Sequence, residues 1–264
     1  MNKSTLTRTS CLTLVGALSL LTLSSVAASG HSTNGMLKET DMVGVSFWIA
    51  TAMMLASTVF FILERNNVAT KWKTSMTVAA LVTGIAWYHY TYMREHWIAT
   101  GESPLVMRYI DWLITVPLQL IEFYLILAAV TMVRGALFWQ ILIASLVMLL
   151  GGYFGETGVL SAGVGFFIGM IGWAAIIYLI FFGEAAKVNE GSGNVNSQMA
   201  FRTIRLIVTV GWAIYPIGYA LGYFGAGVDS GTLNIIYNIA DLVNKTAFGL
   251  AIWYAAVQDS KDLA

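Results

Sequence analysis

Residues 108–124 read R-Y-I-D-W-L-I-T-V-P-L-Q-L-I-E-F-Y, apolar enough to lie in a membrane yet carrying Arg108, Asp111 and Glu122. An ionised group in hydrocarbon costs at least about 2.5 kcal/mol, so three in one span point to a polar interior route. On a helix turning ~100° per residue, Arg108, Asp111, Thr115 and Glu122 fall within an arc of roughly 60°. Asp111 and Glu122 are separated by about three turns, ~16 Å along the axis. Two carboxylates stacked on one face at different depths suit a relay for protons. Near the other end of the chain, Asp241 and Lys245 lie four apart on one helix face, with Tyr237 one turn earlier. A self-satisfied ion pair is one reading of that pair. The other is chemical: desolvation lowers the pKa of a mid-membrane lysine toward a reactive neutral amine, a natural site for a Schiff base with an aldehyde. A helical side chain leans toward the helix N-terminus, which brings Lys245 toward the depth of Asp111.

The elements that position these groups follow from composition. Of 264 residues, 58% are hydrophobic and only 11% charged, against about a quarter charged in soluble domains. The formal net charge of zero gives no sign of nucleic-acid binding, and the single cysteine, Cys11, allows neither a disulfide framework nor a thiolate metal site. Seven spans near the ~20 residues needed to cross a bilayer are expected at 43–63, 75–93, 105–129, 136–154, 159–182, 201–224 and 232–257. With no water to satisfy free backbone they should be helices in one bundle. The longest connection is the polar Gly/Asn/Ser segment 187–198. The fold class is therefore an all-α membrane protein, a seven-transmembrane-helix bundle without internal repeat or second domain.

Residues 1–28 read as a signal peptide ahead of a seven-helix domain at 29–264. Lys3 and Arg8 form a basic n-region, 11–26 a Leu-rich apolar stretch, and small residues allow cleavage after Ala27 or Ala28. Basic residues gather on the connections after spans one, three and five (Arg65, Lys71, Lys73, Arg134, Lys187, Arg202, Arg205) and on the tail (Lys261); the other side has only Lys38 and Arg94. The positive-inside rule then places the N-terminus outside and the C-terminus in the cytoplasm. Asp111 falls in the outer half of its span and Glu122 in the inner half.

Read in order, these residues resemble the microbial rhodopsins, and among them the proteorhodopsins, light-driven proton pumps of marine bacteria. The resemblance covers all seven spans. It is carried by R-Y-x-D-W at 108–112, T-V-P at 115–117, E-F-Y at 122–124, W-x-x-Y-P at 212–216 and D-x-x-N-K at 241–245. It implies a bacterial inner-membrane protein with all-trans retinal bound to Lys245 as a protonated Schiff base. Asp111 would be the primary counterion and proton acceptor, Asp241 the second counterion and Glu122 the cytoplasmic donor. Trp112, Trp173, Trp212 and Tyr215 would wall the retinal, with Met148 and Tyr237 close by. Without the resemblance, a Trp or Met in a span is packing, and the Thr115 hydroxyl bonds its own helix backbone.

The resemblance also pairs His89 with Asp111, and places Trp48, His89 and Arg65 near the protomer contacts of a homo-oligomer, pentamer or hexamer. Asn66 stands where an aspartate is usual, which weakens part of that ion-pair ring. Arg108, always charged, would polarise the exit side. Gln119, eight residues after Asp111, is expected beside the polyene. The family's blue-absorbing members have glutamine there and its green-absorbing members leucine, so blue absorption is implied. The expected activity is outward proton transport driven by light, not enzymatic turnover. A sensory photoreceptor signalling through a membrane partner is the alternative, but it needs no donor carboxylate such as Glu122. Chloride or sodium pumps replace part of the Asp111, Thr115, Glu122 trio.

Overall fold

The computed structural model describes residues 36–225 and 227–262, all within one unit of the chain, His31–Ala264. The expected signal segment lies outside the described residues. The long helices are α1 (Met42–Glu64), α2 (Lys73–Thr100), α3 (Leu105–Ala128), α4 (Gly135–Glu156), α5 (Ala162–Phe181) and α9 (Ser230–Lys261). A short α6 (Glu184–Gly191) precedes the sixth span, Val195–Tyr223, built from α7 (Val195–Leu206), a π-turn (Ile207–Gly211) and α8 (Ile214–Tyr223). Together they make the expected seven-helix membrane bundle. Five spans qualify as membrane-crossing by length and apolarity alone. The other two, α2 and α9, are long enough but carry too much polar or charged character to qualify on composition.

Packing runs in chain order, α1 on α2, α2 on α3, α3 on α4 and α4 on α5, and α9 closes the ring against α1, α2 and α7. The polarity is distributed inversely to that of a water-soluble protein. On α5 the exposed residues include Phe167, Ile171 and Tyr178, and only Gly165, Gly172, Ile176 and Ile180 are buried. On α3 the buried set includes Arg108, Asp111, Thr115, Gln119 and Glu122. Apolar groups outward and polar groups inward is the arrangement that hydrocarbon demands.

Helix ends follow local chemistry. The Asp41 carboxylate accepts from Gly44 N at 2.9 Å at the start of α1, and Asp229 accepts from Thr232 N at 2.9 Å at the start of α9, each filling an N-terminal donor that the helix cannot satisfy itself. Between α4 and α5 the backbones meet: a Cβ on Gly165 would strike Gly155 Cα, and one on Gly151 would lie 2.7 Å from Gly169 N. Such close approach is how membrane helices gain dispersion contact without a hydrophobic driving force. The polar segment 187–198 proves largely helical. Gly193, at φ +66°, turns the chain, and Asn194 accepts from Ser197 N at 2.8 Å, so the sixth span starts at Val195 instead of 201.

At the C-terminal end of α9, beyond the apolar part of the span, Asp259 ties three segments together. Its carboxylate pairs with Lys71 Nζ at 2.7 Å and accepts from Trp72 Nε1 at 2.7 Å and Asn194 Nδ2 at 2.5 Å. Burial works against its charge, but the bonds from Lys71, Trp72 and Asn194 outweigh it and hold the carboxyl below its ordinary range. A depressed carboxyl pKa contributes stability that is complete above the unfolded value, near pH 4, and is lost as pH falls through the folded value. Asp259→Ala should therefore cost about 2–3 kcal/mol at neutral pH by stranding these donors. The gap between parent and variant in denaturant titrations should narrow as the pH is lowered below about 4; a gap that does not narrow there would contradict this account.

Candidate functional site

Asp111 on α3 and Asp241 and Lys245 on α9 meet in the middle of the bundle, each at most 3% exposed. Lys245 Nζ lies 2.5 Å from Asp111 Oδ2 and 3.1 Å from Asp241 Oδ2. Asp241 is further held by Tyr215 OH at 2.5 Å, Tyr90 OH at 3.0 Å and Trp112 Nε1 at 3.2 Å. Asp111 Oδ1 faces His89 Nδ1 at 3.3 Å. One ammonium between two carboxylates leaves one negative charge over, and Arg108 supplies the balance. Its guanidinium reaches Tyr90 OH at 3.4 Å, Asn234 Oδ1 at 2.9 Å and Asn238 Oδ1 at 3.0 Å. Burying these charges is tolerable because they cancel and all their polar atoms but Arg108 Nε find partners among the described residues.

Beside this cluster runs an aromatic cavity. Trp112, Gln119, Met148, Trp173, Trp212, Tyr215 and Tyr237 line it, and Lys245 and Asp241 form part of its wall. Trp112 meets Tyr215 and Tyr237 edge to face, and Trp173 Nε1 is anchored on Val208 O at 3.1 Å. Gln119 is 1% exposed, and its Nε2 has no hydrogen-bond partner among the described residues. Glu122 lies further along the same face of α3, equally buried, with Ser75 as its polar neighbour. Neither of its carboxyl oxygens makes a hydrogen bond of ordinary geometry there. Thr115 Oγ1 donates to Asp111 O at 2.9 Å, its own helix backbone.

The peripheral residues fall elsewhere. Trp48 is 46% exposed, with the Arg94 guanidinium 3.9 Å over its ring, and Arg65 Nε donates to Thr77 Oγ1 at 2.7 Å. Neither joins the buried cluster. Four residues of the network were not singled out from sequence: Tyr90, Ser46, Asn234 and Asn238. The asparagines carry a readable signal, because 234, 238, 241 and 245 repeat at helical spacing on one face of α9. Ser46, which accepts from Asn238 Nδ2 at 2.9 Å, and Tyr90 carry none.

A family model described as bacteriorhodopsin-like protein matches residues 41–259. The chain belongs to that family. It is 54% identical to the blue-light absorbing proteorhodopsin of Gamma-proteobacterium Hot 75m4, over 92% of this chain and 96% of the relative. To the green-light absorbing proteorhodopsin of Gamma-proteobacterium EBAC31A08 it is 53% identical over the same shares. The crystal structure of the blue light-absorbing proteorhodopsin from Med12 superposes with a TM-score of 0.73 at 62% identity, covering 83% of this chain and 100% of that one. The blue- and green-absorbing relatives at 54% and 53% identity are too nearly equal to choose the colour. This is a family of rhodopsin ion pumps, not of enzymes, and membership implies a retinal chromophore. The cavity fits one: it is an aromatic slot with a buried primary amine in its wall and a carboxylate on either side of that amine.

The charge balance predicts how the protein without chromophore responds. Lys245→Met leaves two buried carboxylates against Arg108 alone and should cost about 3–5 kcal/mol at neutral pH, whereas adding Asp111→Asn, which leaves Asp241 balanced by Arg108, should recover most of that loss. Denaturant titration without retinal reads both; a double variant no more stable than the single one would contradict the balance.

Proposed function

We propose that this chain is a light-driven outward proton pump, absorbing in the blue, with retinal carried on Lys245 in the all-trans form at rest. The observation that carries the reading is the placement of Lys245 Nζ between Asp111 and Asp241, with Glu122 buried further along the same face of α3. Retinal bound to the Lys245 nitrogen supplies light absorption and an isomerisation that reorients that nitrogen's proton. Every other part falls to the chain. Asp111 Oδ2, at 2.5 Å, is the nearest acceptor for the Lys245 proton. Asp241 is the poorer one, because Tyr90, Trp112 and Tyr215 already occupy its oxygens. It serves as the fixed counter-charge.

Direction comes from depth and loop charge. Beyond Asp111 lie Arg108, Asn234 and Asn238, toward the α9 N-terminus, on the side with few basic residues. That is the exit, facing outside. Glu122 lies toward the basic connections, facing the cytoplasm, and returns a proton to the Lys245 nitrogen. His89 touches Asp111 and steadies its charge. A homo-oligomer with Trp48, Arg65 and His89 near the contacts is part of this proposal.

Cells supplied with retinal should acidify their medium in light, and a protonophore should abolish the signal. A coloured protein that moves no protons would favour the sensory alternative. Asp111→Asn should stop acidification. Glu122→Gln should leave the first proton transfer intact and slow the return of the proton at least ~100-fold, the range of a lost general acid. Flash photolysis checks this, and a parental recovery rate would place the donor elsewhere.

Colour rests on Gln119. Its amide, at the cavity wall, would favour the ground-state charge distribution of a bound polyene over the excited one and so widen the gap. Gln119→Leu should move the absorption maximum to longer wavelength; no shift, or a shift to shorter wavelength, would reduce Gln119 to packing.

A further inference from the structure

One arginine of the sixth span lies outside the buried cluster and has fewer partners than its charge requires. Arg205, on α7, is half-buried. Its Nη1 donates one long bond, 3.4 Å, to Ile180 O near the end of α5, where the helix leaves carbonyls without donors of its own. Its Nε is enclosed without a hydrogen-bond partner, and Nη2 makes no bond among the described residues. The guanidinium carbon lies 4.3 Å over the Phe181 ring. No carboxylate of the described residues forms an ion pair with it: Glu190 acts on it only from a distance, and Glu184 is held by Arg134 at 2.6 Å. Arg202, exposed and three residues earlier, adds a second positive charge beside it. A guanidinium at the edge of hydrocarbon is costly unless an anion meets it, and one long bond leaves most of its five donors open.

A strip of rings leads from this arginine along α5. Phe181 meets Phe182 with centroids 6.1 Å apart, and Phe182 meets Tyr178 at 6.4 Å. Tyr178 and Phe182 are 61% and 68% exposed, which on a membrane span is exposure to lipid. Tyr178 also lines a groove between α4 and α5, with Ala144 and Gly172 as its floor and Val147, Ile171 and Ala175 along its sides. Gly172 sits so close to α4 that a Cβ would lie 2.5 Å from Met148 N; the helices touch there and leave a furrow along their seam. Tyrosine is favoured where hydrocarbon meets headgroup. We propose that Arg205 and Arg202, with Tyr178 and the α4–α5 furrow, bind an anionic phospholipid in the leaflet on the side of the basic connections. Its phosphate lies at Arg205 and an acyl chain runs along Val147 and Ala175. A basic pocket between spans suits a lipid phosphate, and the furrow selects a lipid over free phosphate, because a soluble anion would use the charge alone. An arginine that only caps the end of α5 and extends to water would show no preference among lipids.

The test needs neither light nor proton transport, so its failure is distinct from failure of the pump reading. Native mass spectrometry of the purified full chain is titrated with phosphatidylglycerol and with phosphatidylcholine of the same acyl chains, and circular dichroism checks the fold of each variant. The parent should bind phosphatidylglycerol more tightly than phosphatidylcholine. Arg205→Gln should weaken phosphatidylglycerol about fivefold, the scale of one basic residue at an anionic surface, and leave phosphatidylcholine unchanged. Arg205→Lys, which keeps the charge without the planar fork, should lose less. Ala175→Trp, on the exposed face of α5, fills the furrow and should weaken both lipids, so the proposal stays open to refutation if an Arg205 variant does not fold. Lys261→Gln, which removes an exposed charge from the C-terminal tail, should change neither. Phosphatidylglycerol bound equally well by parent and Arg205→Gln, or weakened as much by Lys261→Gln, would overturn the site. So would unchanged binding in Ala175→Trp, or release of the lipid by inorganic phosphate.

Discussion

Everything in this bundle depends on one ammonium held between two carboxylates deep in its interior. Lys245 cannot carry charge there without Asp111 and Asp241, and two carboxylates cannot stay ionised there without Lys245 and Arg108. The groups come from α3 and α9, so these two helices must lie side by side at a fixed register. Tyr90 from α2 and Tyr215 from α8 then hold Asp241 in place. The remaining surface of the bundle is free to be apolar, and on α5 it is so almost throughout.

The same constraint sorts the carboxylates by what surrounds them. Asp241 is saturated with donors, Asp111 has the lysine and a histidine, and Glu122 has no bond of ordinary geometry among the described residues. The proposed roles follow that order, with Asp241 on α9 as counter-charge and Asp111 and Glu122 on one face of α3 as acceptor and donor.

Much of this was legible in the sequence because hydrocarbon leaves few alternatives. The spans expected at 43–63, 105–129 and 136–154 end within about two residues of α1, α3 and α4, set by apolar length. The facing of Asp111, Glu122, Asp241 and Lys245 followed from helical spacing. The less legible parts depend on contacts between helices. α2 runs on to Thr100, where Gly101 at φ +71° ends it, and nothing in its apolar pattern marked that end. The sixth span begins at Val195 because Asn194 caps it, although the surrounding Gly, Asn and Ser read as loop. Its π-turn was hidden because the side chains that take Val208 O and Gly211 O lie 35 and 33 residues away. Tyr90 read as one aromatic among several in its run, and only the fold brings it between Asp241 and Arg108.

In the proposed pump, light sends the proton on the Lys245 nitrogen to Asp111, and time-resolved infrared difference spectroscopy on the pigment in membranes reads that transfer. A carboxylic-acid C=O band should rise together with the bleaching of the visible band, shift with deuterium exchange, and be missing in Asp111→Asn while surviving in Glu122→Gln. A band that persists in Asp111→Asn and disappears in Asp241→Asn, or bleaching without any new carboxylic acid, would contradict the account.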